Sequence, residues 1–184
     1  IISLFGLLHD KTDLYLMALV GTTEQLGMYH VLISALNIMK TGAAFLVQPF
    51  MKNIYRLPLA SLRILTRQMA LAGAVIVSVG TLALAVIIPN VFGFDFDWQV
   101  YALGAAAVFP YYYYINFTHR IYRRNQERRM ILFASIVIAI NAVFSYTLIP
   151  VYGIKGALFA TAAAEWLMLI MLVVHEKWKK GSWR

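Results

Sequence analysis

The stretch QMALAGAVIVSVGTLALAVIIP, residues 68–89, contains no charged side chain. A helix needs about 20 apolar residues to cross a hydrocarbon core of roughly 30 Å. Five further apolar runs of similar length lie on either side of this stretch, at 1–22, 28–48, 98–117, 130–150 and 154–175. The runs lack the alternation of barrel strands, and backbone groups in lipid need partners within the same segment. The sequence therefore predicts an all-α integral membrane protein with a bundle of about six transmembrane helices.

Charge is scarce and unevenly placed, which predicts the orientation of the bundle. Of the 184 residues, 61% are hydrophobic and 13% are charged. Basic residues collect in cytoplasmic loops, and 13 of the 16 lie in three segments at 52–67, 120–129 and 177–184. The opposite loops carry Glu24, Asp95 and Asp97, with Lys155 as their one base. Both ends of the chain are therefore predicted to be cytoplasmic.

The composition also argues against several functional classes. The net charge of +8 sits at the ends of predicted spans, where basic residues meet anionic headgroups of membrane lipids, so no nucleic-acid partner is expected. Cysteine is absent, which excludes disulfides and thiolate metal sites. No cluster of catalytic or metal-ligating residues stands out at the ends of the spans. We therefore expect no enzymatic activity, no metal and no cofactor.

The segment between the second and third spans, about residues 50–67, has an amphipathic pattern. At 100° per residue its four bases fall within about 60° of one another, and its apolar residues occupy the other side. The pattern predicts an interfacial helix on the inner leaflet, bent near Pro58.

Polar residues within the first two spans are the best candidates for a functional site, because such residues usually face a bundle interior or a water-filled path. In the second span a polar face of about 120° contains His30, Ser34, Asn37, Lys40, Thr41 and Gln48. In the first span His9, Asp10 and Asp13 fit within about 100° of arc. Two hypotheses follow for Lys40: it binds an anionic substrate, or it pairs with Asp10 or Asp13 and neutralises a buried charge.

Other polar residues of the spans are interpreted mainly as structural. His9 and His30 have the pKa range of proton carriers, but no relay or metal spacing surrounds them, which favours ordinary hydrogen bonding. Glu165 is a candidate interior carboxyl on the sixth helix, where Gly156, Ala160 and Ala164 favour close packing. The four tyrosines at 111–114 are typical of an aromatic belt at a membrane interface.

The order of several motifs resembles a known family of membrane transporters. Asp13 in the first span is followed by LGMY at 26–29 and by Pro49 at the end of the second span. Near the end of the chain IPVYGIKGA at 149–157 leads into Ala160-Thr161 and Glu165-Trp166. In this order and spacing the motifs resemble the C-terminal lobe of polysaccharide (O-antigen and repeat-unit) flippases of the multidrug/oligosaccharidyl-lipid/polysaccharide exporter superfamily.

The resemblance implies a function that composition alone does not. Members of this family have about twelve to fourteen helices in two lobes around a cavity. They move an oligosaccharide linked to undecaprenyl pyrophosphate across the bacterial plasma (inner) membrane for polysaccharide biosynthesis. Residues 1–184 then form the C-terminal six-helix lobe, and an N-terminal lobe of the same protein is expected upstream. The implied substrate-binding residues are Lys40, Asn37, His30, Thr41 and Asp13, while Asp10, Asp13 and Glu165 are candidates for ion coupling or ion pairing.

Two other functions remain as alternatives at this stage. A cation-coupled multidrug exporter of the same superfamily would use the buried carboxylates as proton or sodium sites. A membrane scaffold without transport activity would have a neutral, dry arrangement of the first two helices.

The predicted orientation can be tested by introducing single cysteines. We expect cysteines at Gln25 and Asn90 to react with a membrane-impermeant maleimide added to intact cells, because both lie in loops with few bases. A cysteine at Asn125, among arginines, should react only after the cells are opened. Labelling of Asn125 from outside intact cells would show that the orientation is wrong.

Overall fold

The described part of the protein consists of helices. The computed structural model describes the backbone of residues 2–51 and 59–181, and the side chains of residues 11–51 and 61–176. These residues form six α-helices: α1 (Ile2–Val20), α2 (Thr23–Val47), α3 (Leu59–Phe92), α4 (Trp98–Arg123), α5 (Glu127–Tyr152) and α6 (Ile154–Gly181). One 3-10 turn, Gln48–Phe50, follows α2. The described residues contain no strand, and the all-α fold class is confirmed.

Several of these helices have the length and composition of membrane spans. Within the described residues four segments qualify: Thr23–Phe50, Ser61–Phe92, Glu127–Tyr152 and Ile154–Glu176. Helix α4 has 26 residues, but its four consecutive tyrosines lower its hydropathy. The chain is therefore a multi-pass helical membrane protein.

The third helix differs from the sequence prediction. Residues 59–67, expected to belong to a separate interfacial helix over 50–67, form one continuous helix with the third span. Residues 52–58, which include Pro58, lie outside the described residues. Leu62, Leu65 and Thr66 are buried, so the apolar side of this segment packs against the bundle, whereas the prediction placed it on the lipid surface.

The bundle is arranged around α6 and α4. Helix α6 packs along both α4 and α5, α3 packs on the outer side of α4, and α1 packs on α5. Helix α2 lies against α4 and also touches α1 and α3. The core between them is built from residues such as Leu32, Leu36 and Val108. In lipid such helices are held by close packing and interhelical hydrogen bonds, because the surrounding chains are as apolar as the side chains.

Small residues set how closely the helices approach. A Cβ atom added to Gly73 of α3 would lie 2.5 Å from Cβ of Tyr112 on α4, and one added to Gly156 of α6 would lie 2.5 Å from the carbonyl oxygen of Leu148 on α5. Trp166 of α6 donates its indole N–H to the carbonyl oxygen of Ala106 on α4 at 3.1 Å. The sequence analysis predicted close packing along the small residues of the sixth helix. The contact of Gly156 with α5 is such a close approach.

Two short turns orient α2 and α6. Thr22 begins α2 with a capping box, in which its hydroxyl accepts from the Gln25 backbone at 3.2 Å and its own N–H donates to the Gln25 side chain at 3.4 Å. Gly153 links α5 to α6 with φ of 56°, a conformation that favours glycine. A Cβ atom at Gly153 would lie 2.9 Å from Nε2 of Gln25. The start of α2 therefore rests on the turn between α5 and α6.

An ion pair connects a loop and a helix start at the same end of the bundle. Lys155 donates to Asp97 at 2.7 Å and to the side chain of Gln99 at 2.9 Å. The hydrogen bond from Lys155 is the main cause that lowers the pKa of the Asp97 carboxyl from its ordinary value. The pair ties the loop before α4 to the first turn of α6.

The turn at Gly153 gives a prediction with a matched control. We expect Gly153→Ala to destabilise the protein by about 1–2 kcal/mol, because an L residue is strained at positive φ and the new methyl group displaces Gln25. Gly27→Ala is the control, since nothing lies within 4 Å of its added Cβ atom and alanine favours a helix over glycine by about 1 kcal/mol. Thermal unfolding of the purified chain in detergent measures both. Equal melting temperatures for the two variants would contradict this account of the turn.

Candidate functional site

Helix α2 exposes a polar stripe along one side. His30, Ser34 and Thr41 are exposed and Asn37 is half-buried, and they recur at the spacing of one helical face. Gln48 continues the stripe, and the exposed apolar residues Ile38 and Phe45 lie along one edge of it. The hydroxyl of Thr41 donates to the carbonyl oxygen of Asn37 at 2.9 Å. The opposite side of α2 is buried in the core, for example at Leu32 and Leu36.

The exposed side of α3 has the opposite chemistry. Its exposed residues are mainly aliphatic and include Leu71, Val75, Val79, Leu82 and Val86. Such a surface suits lipid chains, whereas a row of polar side chains in hydrocarbon is costly and usually faces a water-filled space. The stripe on α2 is therefore the part of the described surface best suited to water within the membrane.

Lys40 lies at one edge of this stripe and pairs with Glu165 of α6. The distance from Nζ of Lys40 to Oε1 of Glu165 is 2.5 Å, and the side chains are 14% and 1% exposed. Tyr114 of α4 donates to the other carboxylate oxygen of Glu165 at 2.6 Å. Glu165 thus receives a cation from α2 and a hydroxyl from α4.

The described partner of Lys40 is a carboxylate that the ion-pair hypothesis did not name. That hypothesis expected Asp10 or Asp13, but the described contact is with Glu165, 125 positions away in the sequence. The side chains of Asp10 and His9 lie outside the described residues. Asp13 is described, and its contacts are with other groups.

Asp13 forms a second buried polar centre. Its side chain is on α1 and is 2% exposed. Tyr29 of α2 donates to Oδ2 of Asp13, and Thr161 of α6 donates to the same oxygen at 3.0 Å. Among the described side chains no Lys, Arg or His pairs with this carboxylate. Its other oxygen, Oδ1, accepts from the backbone N–H of Leu14 at 2.8 Å, so Asp13 is a buried acid stabilised by two hydroxyl groups from neighbouring helices and one backbone amide.

The two centres are neighbours along α6. Thr161 and Glu165 are one helical turn apart, which corresponds to about 6 Å along the helix axis. Both centres also use a residue of α2, Tyr29 in one and Lys40 in the other. The first, second and sixth helices, which the sequence analysis selected for their polar residues, thus meet along one line of α6.

The tyrosines of α4 are placed differently from the aromatic belt that the sequence analysis expected. Two of them contribute hydrogen bonds inside the bundle, which the sequence analysis missed. Tyr112 and Tyr114 are buried, so they do not form an interfacial belt. Tyr112 donates to the carbonyl oxygen of Met39 at 2.5 Å, and Tyr111 packs edge to face on Tyr114 at 5.3 Å between ring centroids. The four consecutive residues are identical, so the sequence does not show which of them are buried. It therefore could not indicate which tyrosine hydroxyl contacts a carboxylate.

The part of the chain that the structure describes was searched for groups of side chains that could hold a metal ion. These residues contain no group of three His, Cys, Asp or Glu side chains that could hold a metal ion. The polar stripe, Lys40, Glu165 and Asp13 supply hydrogen bonding and charge pairing at the candidate site.

Comparison of the chain with protein-family models, with curated proteins and with solved structures found no match.

The contact between Lys40 and Glu165 can be tested as a thermodynamic coupling. We expect Lys40→Ala alone to destabilise the protein by about 3–5 kcal/mol, because it leaves a buried carboxylate without its cation. Lys40→Ala combined with Glu165→Gln should recover part of that loss, since the second change removes the uncompensated charge. Thermal unfolding of the four proteins of the cycle gives the coupling energy. Lys155→Ala, which breaks an exposed pair, is the control and should change stability little. Strict additivity of the two changes would show that the pair is not formed.

Proposed function

We propose that this chain is the C-terminal lobe of a transporter that moves a lipid-linked oligosaccharide of the undecaprenyl pyrophosphate type across the bacterial plasma membrane by alternating access. The observation that supports it best is the exposed polar stripe of α2, on a helix long and apolar enough to span the membrane. A second lobe facing this stripe would enclose a water-filled cavity between the two.

The physical task of such a transporter fits this surface. A pyrophosphate and several sugars do not cross hydrocarbon unaided, because the loss of hydration is costly. A cavity lined by hydroxyl, amide and imidazole groups replaces water around the sugars, while the lipid tail stays in the bilayer. His30, Asn37 and Thr41 supply such groups along about three turns of α2.

Lys40 is the proposed contact for the pyrophosphate. It is the one basic residue of α2, Thr23–Val47, and its side chain lies between the stripe and Glu165, partly exposed. An ammonium group has three N–H donors, so one lysine can serve a carboxylate and a phosphate together. Arrival of the phosphate would then weaken the bond to Glu165 and couple substrate binding to the contact between α2 and α6.

The resemblance to polysaccharide flippases supports the same substrate class. It rests on motifs in α1, α2 and α6, and those helices carry both buried polar centres. The contact between Asp13, Tyr29 and Thr161 joins three residues that the motifs contain.

Lipid binding by a double variant with unchanged net charge tests this proposal. We expect Lys40→Ala/Glu165→Gln to weaken binding of an undecaprenyl pyrophosphate-linked oligosaccharide by about 10-fold or more, because a charge-assisted contact to phosphate is lost. Glu165→Gln alone should bind at least as tightly as the wild type, since Lys40 remains. Native mass spectrometry of the purified chain with the lipid gives the affinities.

The matched control removes another ion pair without changing the net charge. Lys155→Ala/Asp97→Asn deletes the pair at the start of α6 and should bind like the wild type. Wild-type affinity of Lys40→Ala/Glu165→Gln would overturn the role of Lys40 and leave the pair as a structural contact.

A cation-coupled exporter is the alternative that one observation favours. Asp13 is a buried carboxylate that accepts hydrogen bonds from two hydroxyl groups and from the backbone N–H of Leu14, an arrangement that a proton or a sodium ion can use. In that case Asp13→Asn would abolish sodium- or pH-dependent dye efflux, and the lipid-linked oligosaccharide would not bind to the wild type. A scaffold would show neither activity.

A further inference from the structure

A second charged cluster, separate from the candidate site, lies at the end of the bundle where α4 and α6 finish. Arg120 and Arg124 of α4 both contact Glu176 of α6, at 2.6 Å and 3.1 Å. The side chain of Glu176 is buried, that of Arg120 is nearly so, and that of Arg124 is about one third exposed. Two guanidinium groups therefore share one carboxylate.

Helix α3 brings a third guanidinium to the same level. The side chains of Thr66 on α3 and Asn116 on α4 meet at 3.5 Å, and the two helices run in opposite directions. From that contact Arg63 lies three residues toward the start of α3, and Arg120 lies four residues toward the end of α4. These steps correspond to about 4.5 Å and 6 Å along the axes, so both arginines lie on the same side of the contact and at nearly the same height.

Electrostatics agree with this geometry. Arg120 lies beyond the span predicted at 98–117. Burial lowers the pKa of its guanidinium from the ordinary value, Glu176 opposes this effect, and the charges of Arg124, Arg123 and Arg63 lower the pKa further. The cluster thus concentrates positive charge around a single buried carboxylate, and an added anion would relieve the repulsion between the arginines.

We propose that Arg63, Arg120 and Arg124 form a binding site for the phosphate of an anionic phospholipid from the adjoining leaflet. Guanidinium groups match phosphate oxygens with paired N–H donors, which a diffuse surface charge does not. Arg120 and Arg124 are held in place by Glu176, so the site needs little reorganisation. Arg63 is exposed and completes the site from α3.

The surface beside Arg63 explains why the phosphate belongs to a lipid. Ile64 and Leu71 of α3 are both 61% exposed, and Leu71 lies about 12 Å along the helix from Arg63. The exposed side of α3 continues from there as an aliphatic surface through Val75 and Val79. A phosphate at Arg63 therefore leaves acyl chains directly above an apolar surface, whereas a soluble phosphate ester would gain nothing from it.

The experiment measures lipid binding by the purified full chain in a neutral detergent. Phosphatidylglycerol and phosphatidylcholine are titrated separately, and binding is followed by native mass spectrometry together with the melting temperature. We expect phosphatidylglycerol to bind at least fivefold more tightly and to raise the melting temperature. Glycerophosphoglycerol, which has the same phosphodiester without acyl chains, should do neither. Equal binding of both lipids, or a full effect of glycerophosphoglycerol, would overturn the proposal.

Arginine variants with a matched control locate the site. Arg63→Gln should weaken phosphatidylglycerol binding by about fivefold, Arg63→Lys by less, and neither should change the melting temperature in detergent alone, because Arg63 is exposed. Arg128→Gln removes the same charge from another exposed arginine, one that does not act on Arg120, and should bind like the wild type. Equal losses in Arg63→Gln and Arg128→Gln would show nonspecific attraction and reject the site.

Discussion

Glu165 is the residue on which the arrangement of the bundle depends, because a buried carboxylate in a membrane helix must obtain its partners from other helices. Lys40 supplies the charge from α2, and Tyr114 supplies a hydroxyl from α4. The carboxylate therefore fixes the positions of α2 and α4 relative to α6. These bonds form at one register only and so add to the close packing that holds the helices in lipid.

Helix α6 can occupy the centre of the bundle because it combines small residues with polar residues that bond to neighbouring helices. Its small residues, such as Gly156, Ala160 and Ala164, leave room for the backbones of α4 and α5. Between them α6 directs Thr161 toward Asp13 and Glu165 toward Lys40. At its far end Glu176 holds two arginines of α4. One helix thus satisfies polar groups from α1, α2 and α4 in turn along its length.

The sequence predicted the helices well because long apolar runs have one solution in a bilayer, a helix with internal hydrogen bonds. It also selected Asp13, Lys40 and Glu165, since charged residues in such runs are rare. Their pairing could not be predicted: Lys40 and Glu165 are 125 positions apart, and helical periodicity describes one helix at a time. The continuity of α3 was missed for a similar reason, because an amphipathic pattern does not show whether its apolar side meets lipid or protein.

The polar groups of the described bundle fall into two sets, and the difference bears on function. Asp13 and Glu165 are satisfied within the bundle by Tyr29, Thr161, Lys40 and Tyr114, so they cost little and hold the helices together. The stripe on α2 does not help to hold the helices: His30, Ser34 and Thr41 are exposed, and a stable bundle could replace them with leucine. Retention of polar side chains where packing does not require them is explained if they contact water or a polar ligand.

Lys40 belongs to both sets, since it is bonded to Glu165 and lies at the edge of the stripe. A ligand that competes for its ammonium would therefore act directly on the bond between α2 and α6, and under the proposed function this bond would connect binding at the stripe with the packing of the helices.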